Sequence, residues 1–179
     1  MAAAGRGDRD ALNTLLRRHY RSLHAVCRRL AGNDADAADA AQEALLAIVR
    51  GLPGFDQRSR FATWAYRVTV NACLDELRRR SRRPVPVDDT GPVSRVAPTA
   101  VDEAVAVRLD IDAALRRLPE KYRAAVVLRD LCGLDYAEIA EVLDIPAGTV
   151  RSRIARGRAG VADALGNSAP TPPRPRDTP

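Results

Sequence analysis

An arginine-rich segment near the carboxyl end of the chain has the residue types and spacing to recognise nucleic acid. It reads TVRSRIARGR from Thr149 to Arg158. A guanidinium group is a planar fork of hydrogen-bond donors, which fits phosphate oxygens and the major-groove edge of guanine. If the segment is helical, Val150, Ile154 and Gly157 share one side and can pack inward. The opposite side then presents the predicted DNA contacts, which are Thr149, Arg151, Ser152, Arg153, Ala155 and Arg156.

The predicted contacts differ in what each can recognise. Arg151, in the N-terminal part of the helix, can bond guanine, and Ser152 can bond several bases. Ala155 can touch only the methyl group of thymine. Thr149 and the remaining arginines would then hold phosphates. The alternative is a basic, solvated surface helix without a ligand, which the arginines alone do not exclude.

The residues directly before this segment favour a helix-turn-helix over a solvated surface helix. Asp135 and Glu138 form a D-x-x-E pattern, in which the aspartate can cap a helix start and the glutamate can reach back to it. A turn follows at Asp144, Ile145 and Pro146. A short capped helix, a tight turn and a basic second helix are the parts of a motif whose second helix enters the major groove.

A second polar stripe lies in the first half of the chain, beside aromatic residues and before a run of arginines. Aromatic and basic side chains in this combination are typical of a surface that grips a strand with unstacked bases. Two alternatives stay open, because Trp64 can be a core residue and the arginines can be a helix end favoured by the helix dipole. The predicted strand-binding residues are Trp64, Arg67, Asn71, Asp75 and Arg78.

The helix predicted before that stripe has an acidic face. Asp39, Gln42 and Glu43 lie on it, and Leu46 follows about one turn later. Acidic residues near a helix N-terminus are stabilised by the helix dipole, so local stability alone can account for them. A surface that contacts another protein is the functional alternative.

The spacing of apolar residues predicts an all-α fold. They recur at intervals of three and four, and the aromatic share is only 4%, which argues against a sandwich or barrel of strands. The side chains of the second helix predicted to point towards the core include Ile48, Val49 and Leu52. The third is apolar around so much of its circumference that it must lie between other elements. The predicted helices span about residues 12–30, 34–52, 59–80, 101–118, 119–133 and 147–165, with a short helix after Asp135.

Prolines divide the chain into two small helical domains. Residues 84–98 contain four prolines and a glycine, and each proline removes a backbone donor and favours extended geometry in the residue before it. We therefore predict a first domain at 1–83, a flexible linker at 84–100 and a second domain at 101–166. The proline-rich residues 167–179 are predicted to be a disordered tail.

The composition is basic, with a formal net charge of +6, and Lys121 is the only lysine. Nearly all of the positive charge is therefore arginine, which suits nucleic-acid recognition better than lysine. A GC-rich genome, whose codons raise arginine and alanine together, would give the same composition. The position of the arginines in the two segments above favours the first interpretation.

Several other classes of function are disfavoured. Cys27, Cys73 and Cys132 are far apart in helical context, which predicts reduced, buried thiols and neither a disulfide framework nor a metal site. Since the chain has no long apolar run and no secretory signal, we expect it in the cytoplasm. His19 and His24 fall on different helix faces, and no nucleophile lies near a plausible base. We therefore expect no enzymatic activity, no metal and no cofactor.

Taken together, these residues resemble the extracytoplasmic-function (ECF, group IV) sigma factors of bacterial RNA polymerase. Residues 118–159, LPEKYRAAVVLRDLCGLDYAEIAEVLDIPAGTVRSRIARGRA, resemble the region 4 domain that reads the promoter −35 element. The segments LLRRHYRSLHAVCRRLAGNDADAADAAQEALLAIVR and FATWAYRVTVNACLDELRRR resemble the region 2 domain that binds and opens the −10 element. The VNACLD residues and the linker resemble the sigma-M-like branch of actinobacteria.

The resemblance implies a subunit, monomeric when free, that directs core RNA polymerase to promoter DNA and has no small-molecule substrate. It implies docking on the β′ clamp helices and the β flap of the polymerase, and an anti-sigma factor as a further partner. Asn71 lies where the family captures a flipped −10 base. The positions at which the family contacts −35 bases are those of Arg151, Ser152 and Ala155. The polymerase-binding residues implied are Asp39, Gln42, Glu43 and Leu46.

The sequence departs from the wider pattern at two positions. Trp64 is followed by Ala65, where primary sigma factors have two adjacent tryptophans. We therefore predict weaker strand opening and a stricter promoter requirement. Ala155 lacks a hydrogen-bonding side chain at a reading position, which leaves the −35 preference open.

Two other kinds of protein are compatible with the motifs. An autonomous helix-turn-helix regulator would use the first domain for dimerisation or ligand binding, because palindromic half-sites are read by paired proteins. An inactive, sigma-like interaction module is the third interpretation. Transcription assays with core polymerase distinguish all three.

Overall fold

The computed structural model describes residues 2–82 and 100–166, and every regular element within these ranges is helical. The all-α prediction is confirmed. The predicted tail and the predicted linker lie outside the described residues, except that Ala100 already belongs to a helix. The helices are α1 (Ala2–Gly5), α2 (Arg9–Ala31), α3 (Asp34–Gly51), α4 (Phe61–Arg82), α5 (Ala100–Arg117), α6 (Glu120–Val126), α7 (Tyr136–Leu143) and α8 (Ala147–Ala164).

Helices α2 and α3 are joined by two residues, one of which ends α2 while the other caps the start of α3. Gly32 adopts φ 84° and its backbone N–H donates to the Arg28 carbonyl, which closes the end of α2. Asn33 then caps α3, because its side-chain oxygen accepts the backbone N–H of Asp36 at 2.9 Å. The predicted break between the helices at 12–30 and 34–52 is confirmed. So short a connection makes the two helices antiparallel neighbours.

Helix α4 packs on both α2 and α3 and supplies much of the core of the first block. Ala65, Val70 and Cys73 are at most 1% exposed, and Val26 and Ile48 are fully buried opposite them. The prediction that this helix lies between other elements is confirmed. Cys27 and Cys73 are buried free thiols, as predicted, whereas Cys132 is also free but only half-buried.

The inward face of α3 differs from the prediction at one residue. Val49 is 37% exposed, although Ile48 beside it is fully buried. The reason is that α3 approaches its neighbours along a row of alanines, Ala37, Ala40, Ala41 and Ala44, which continues to Ile48. Val49 lies about 100° further around the helix from Ile48, outside that row.

The second block begins with α5 and α6, and the helix predicted at residues 119–133 is shorter than expected. Pro119 has φ −52° and stands just before α6, at the cap. The regular helix ends at Val126 and continues as a π-helical turn from Val127 to Leu131. The prediction of a single α-helix as far as Gly133 was therefore wrong, because the wider π-helical turn has a different hydrogen-bond pattern.

Helices α7 and α8 form the predicted helix-turn-helix. Asp135 accepts the backbone N–H of Glu138 at 2.8 Å, and Glu138 accepts the backbone N–H of Asp135 at 3.0 Å. The predicted capping box is therefore present. Asp144 adopts the left-handed conformation, with φ 50° and ψ 54°, and ends α7. The chain then turns through Ile145 and Pro146 into α8.

The two blocks are in contact, and a single cluster of buried apolar residues runs through both. Helix α4 packs on α7, and α2 packs on α5, α6 and the π-helical turn. The sequence did not predict this contact. Among the helices of residues 2–82 and 100–166, none has the length and apolar character needed to cross a membrane.

Candidate promoter and polymerase interfaces

Helix α8 presents a polar face to solvent and an apolar face to the second block. Val150, Ile154 and Gly157 are buried. The predicted division of this helix into two faces is therefore confirmed. Of the predicted DNA contacts, Arg151, Ser152, Ala155 and Arg156 are exposed, and Thr149 and Arg153 are half-buried.

The close approach of α8 to α6 depends on Gly157. A β-carbon at this position would lie 2.4 Å from Cγ2 of Val126 and 3.0 Å from the backbone oxygen of Tyr122. No real β-carbon tolerates the first distance, so the glycine allows the two helices to pack this closely. This packing sets how far the polar face of α8 projects from the block.

Two residues near Arg151 were missed in the sequence analysis. The guanidinium carbons of Arg129 and Arg151 lie 5.1 Å and 5.9 Å from the ring centroid of Tyr136, within the range of cation–π attraction. Arg129 also donates to the backbone carbonyl of Leu134 at 2.7 Å, which fixes it in place. An exposed tyrosine at the first position of a helix, seven residues after an arginine, was the available signal.

Arg156 and Arg158 are held by partners in the same block. Nη1 of Arg156 donates to the hydroxyl of Tyr122 at 3.3 Å, and this hydrogen bond lowers the pKa of that hydroxyl. Arg158 forms a two-point contact with the carboxylate of Asp130, with Nε 3.1 Å from Oδ2. These contacts restrict the rotamers of two long side chains before any ligand is bound.

Trp64 lies in an aromatic cluster between α4 and the turn before it. Its ring centroid is 5.0 Å from that of Phe55 and 5.7 Å from that of Phe61, and it packs closely on Gly51. The ring is half-buried. Trp64 therefore has a packing role, while part of its surface still faces solvent.

The polar stripe of α4 is divided into a covered half and an open half. Thr63 is 1% exposed and donates to Oε1 of Glu138 at 3.1 Å, and Arg67 lies 3.8 Å from Glu141. Further along the helix, Asn71, Asp75 and Arg78 are exposed, and Arg78 pairs with Asp75 at 2.8 Å. The structure thus places α7 over the beginning of the stripe only.

The predicted polymerase-binding residues share one exposed face. Asp39, Gln42 and Glu43 line a shallow groove with Glu76 and Arg79 of α4. Leu46 is 46% exposed on the same helix, and Val49, at 37%, continues the apolar surface. An apolar centre with a polar rim is the usual anatomy of a protein interface, and this face is compatible with it.

No metal site is evident in the part of the chain that the structure describes, since its His, Cys, Asp and Glu residues form no group of three suited to a metal ion. Within the same residues, α8 and the far half of α4 carry exposed arginines, and α3 carries exposed carboxylates beside Leu46. This combination is compatible with a protein that binds DNA and docks on another protein.

Comparison with known proteins identifies the family. Residues 15–83 match the family model "Sigma-70 region 2", and residues 108–159 match "Sigma-70, region 4". The chain is 44% identical over 168 residues to the ECF RNA polymerase sigma factor SigM of Mycobacterium tuberculosis, covering 93% of this chain and 83% of that protein. It is 34% identical to the ECF sigma-E factor of Escherichia coli, over 87% of each chain.

Two solved structures share the arrangement of helices. CnrH, solved in complex with the cytosolic domain of CnrY, is 25% identical, with a TM-score of 0.69 over 94% of this chain and 96% of that one. RpoE of Bartonella quintana, solved with the anti-sigma factor NepR, has a TM-score of 0.71 at 19% identity, over 89% and 99% of the two chains, and supports the fold.

The class defined by these matches is the bacterial sigma factor, which acts with core RNA polymerase in promoter-directed initiation of transcription. The chain belongs to the ECF RNA polymerase sigma factors and is sigma-M-like. Sigma factors are non-catalytic initiation factors. The predicted family and function are therefore confirmed, and the roles of individual residues stay predictions.

Proposed function

We propose that the chain recognises a bipartite promoter through two faces, the exposed face of α8 for the −35 element and the polar stripe of α4 for the −10 element. The observation that carries this proposal is the position of exposed arginines on two separate blocks, on α8 and on α4, with exposed carboxylates and Leu46 on α3. We further propose that it has no enzymatic activity of its own and works in the cytoplasm. We propose residues 1–83 and 101–166 as the two functional units.

Arg151 and Ser152 are the base-reading residues of the −35 face. Both are exposed in the first turns of α8, the part of a recognition helix that meets base edges. Thr149, Arg153 and Arg156 hold the backbone, while Ala155 contacts a base only through its methyl group. The stacking of Arg151 near Tyr136 supports a fixed orientation for the reading side chain.

Asn71 is the base-capturing residue of the −10 face. Its amide is exposed on α4 and can both donate to and accept from a base edge. Extruding a base from the stack costs a few kcal/mol, which contacts in a pocket must offset. Arg67 and Arg78 attract the phosphates on either side, Asp75 orients Arg78, and the exposed part of Trp64 supports the displaced strand.

The α3 face binds the polymerase. Asp39, Gln42 and Glu43 present their polar groups to the β′ clamp helices, and Leu46 supplies the apolar centre of the contact. The second block docks separately, on the β flap. Each block alone binds DNA weakly, and the polymerase joins the two sites so that their affinities combine.

An anti-sigma factor is the proposed regulator of the free chain. CnrH and RpoE, which share its fold, were each solved with a partner of their own, the cytosolic domain of CnrY and the anti-sigma factor NepR. A partner of this class would cover the polymerase-binding faces and release the chain when its signal arrives.

A promoter selection with the reconstituted holoenzyme tests these assignments. The expected result is an enriched motif with two separate elements. The Arg151→Ala variant is expected to relax the choice of base in the upstream element alone, and Asn71→Ala in the downstream element alone. Arg117→Ala, an exposed arginine at the end of α5, serves as a control that leaves both preferences unchanged. Enrichment of a palindrome would instead favour the autonomous regulator.

A further inference from the structure

Two cations and a hydroxyl group meet where α6 packs on α8. Nη1 of Arg156 donates to the hydroxyl oxygen of Tyr122 at 3.3 Å, although the two residues are 34 positions apart. The ammonium group of Lys121 lies 5.1 Å from the centroid of the same ring, within the range of cation–π attraction. Lys121 and Arg156 are exposed, and Tyr122 is half-buried. These three residues, which we call the Tyr122 cluster, therefore form one patch that solvent can reach.

The packing of α6 on α8 holds the Tyr122 cluster in place. A β-carbon at position 157 would lie 3.0 Å from the backbone oxygen of Tyr122, so Gly157 allows the two helices to approach closely at this point. Arg156 is the residue before that contact, which brings it beside Tyr122. Val126 on α6 and Ile154 on α8 are buried in the same block. The cluster is therefore built on the core of the second block and needs no ligand to form.

The Tyr122 cluster contains more hydrogen-bond donors than acceptors. Ammonium and guanidinium groups only donate. The hydroxyl oxygen of Tyr122 already accepts from Arg156, so the hydroxyl proton is left to donate. The hydrogen bond from Arg156 and the positive charges of Lys121 and Arg156 lower the pKa of this hydroxyl, which makes it a better donor. What the cluster lacks is an acceptor that carries negative charge.

The positive charge of the Tyr122 cluster is not neutralised by a neighbouring carboxylate. In the part of the chain that the structure describes, no Asp or Glu forms an ion pair with Lys121 or Arg156. Arg158, two residues further along α8, differs because it is paired with Asp130. A carboxylate on Arg156 would compete with an anionic ligand. The hydroxyl of Tyr122 orients Arg156 without cancelling its charge.

A phosphate group of the promoter duplex is the acceptor that fits this position. Phosphate oxygens accept charge-assisted hydrogen bonds from several donors at once. Ser152 and Arg156 are both exposed on α8 and are four residues apart, so they lie on one side of the helix, about 6 Å apart along its axis. When the first turns of a recognition helix meet base edges, other parts of the domain contact the phosphate backbone beside the groove. The Tyr122 cluster is placed for such a contact.

We propose that the Tyr122 cluster is a binding site for a backbone phosphate at the edge of the −35 element. Lys121 and Tyr122 of α6 then contact DNA in addition to the residues of α8, and Tyr122 also positions Arg156. This inference rests on the proposed role of α8 in reading the −35 element. Because a phosphate is the same in every nucleotide, the site adds affinity without adding a choice of base.

A double variant, Lys121→Gln with Tyr122→Phe, tests the site in the holoenzyme. Glutamine removes the charge, and phenylalanine removes only the hydroxyl, so the ring keeps its packing. Both groups lie at the surface, and urea unfolding is expected to show a nearly unchanged free energy of unfolding. The control, Arg108→Gln, removes one charge from an exposed position on α5. The probes are promoter duplexes with both selected elements, each carrying a single methylphosphonate that removes the charge of one phosphate in or beside the −35 element.

We expect one position of the methylphosphonate series to weaken binding of the wild-type holoenzyme about fivefold or more, as for loss of a charge-assisted hydrogen bond. The same probe should weaken binding of the double variant about twofold or less, because the contact is already lost. On the unmodified duplex, the dependence of log affinity on log salt concentration should become shallower by about one in the double variant. The control should match wild type throughout the methylphosphonate series.

An identical methylphosphonate profile in the double variant and in wild type overturns the proposal. A promoter selection in which the double variant prefers different bases also overturns it, since a phosphate contact carries no sequence information. The proposed −35 role of α8 fails by a different result, which is an Arg151→Ala variant whose preferred upstream bases are those of wild type. In that case the methylphosphonate profile still decides whether the Tyr122 cluster binds the backbone.

Discussion

Replacing Gly157 with alanine is expected to destabilise the helix-turn-helix, although alanine is the better helix former. Helix propensity alone favours alanine by about 1 kcal/mol. The added methyl group, however, would lie 2.4 Å from Cγ2 of Val126 and 3.0 Å from the backbone oxygen of Tyr122. Val126 is buried and stiff at χ1, and the backbone of Tyr122 cannot rotate away, so α8 must move outward. Overpacking of this kind costs typically about 1–3 kcal/mol, which outweighs the gain in propensity.

The same helix provides a control of opposite sign. Gly148 is exposed, and a β-carbon there would meet nothing within 4 Å. Gly148→Ala is therefore expected to raise the free energy of unfolding by about 0.5 kcal/mol, mainly by restricting the unfolded chain. Urea unfolding followed by circular dichroism compares the two variants with wild type. Gly157→Ala should unfold at a lower urea concentration than wild type, and Gly148→Ala at the same or a higher one.

A stable Gly157→Ala variant would refute this reasoning about the packing of α8. If it unfolds at the same urea concentration as Gly148→Ala, or a higher one, then α6 and α8 do not approach as closely as the structure shows. A destabilised variant should also lose affinity for −35 duplex DNA in the holoenzyme, because the reading face moves with the helix.

Three further substitutions test the separate surfaces. Tyr136→Leu should weaken −35 duplex binding about two- to fivefold, as expected for loss of a cation–π contact near Arg151, while Tyr136→Phe keeps the ring and the affinity. Both affinities are measured by fluorescence anisotropy, and an equal loss of affinity in the two variants would contradict the stacking role. Asn71→Ala should reduce open-complex formation, measured by permanganate reactivity of −10 thymines, without changing binding to core polymerase; unchanged reactivity would show that Asn71 captures no base. Glu43→Arg should lower the affinity for core polymerase in a competition assay, since it reverses the charge on the α3 face, and it should leave the free energy of unfolding nearly unchanged because Glu43 is exposed.

The elements that could be predicted from the sequence are those with local signals. Gly32 and Asn33 mark the turn between α2 and α3, and Asp135 with Glu138 marks the start of α7, because capping depends on residues three or four positions apart. The faces of α8 followed from helical periodicity alone. The family resemblance then supplied the function, which no local signal contains.

Other features depend on packing between distant parts of the chain and left no local signal. The π-helical turn at 127–131 lies in a run of apolar and charged residues that looks like ordinary helix. Val49 is exposed because small alanines bring α3 close along a neighbouring row. The pairing of Thr63 with Glu138 joins residues 75 positions apart, and periodicity predicts which face is polar without predicting its partner.

Promoter-directed initiation with core polymerase is tested most directly by transcription in vitro from one promoter that carries both selected elements. The purified chain together with core polymerase is expected to give a transcript of defined length, whereas each alone gives none. Tight, sequence-selective binding of ordinary duplex DNA by the chain alone, with no transcript when core polymerase is added, would contradict this function and favour an autonomous regulator.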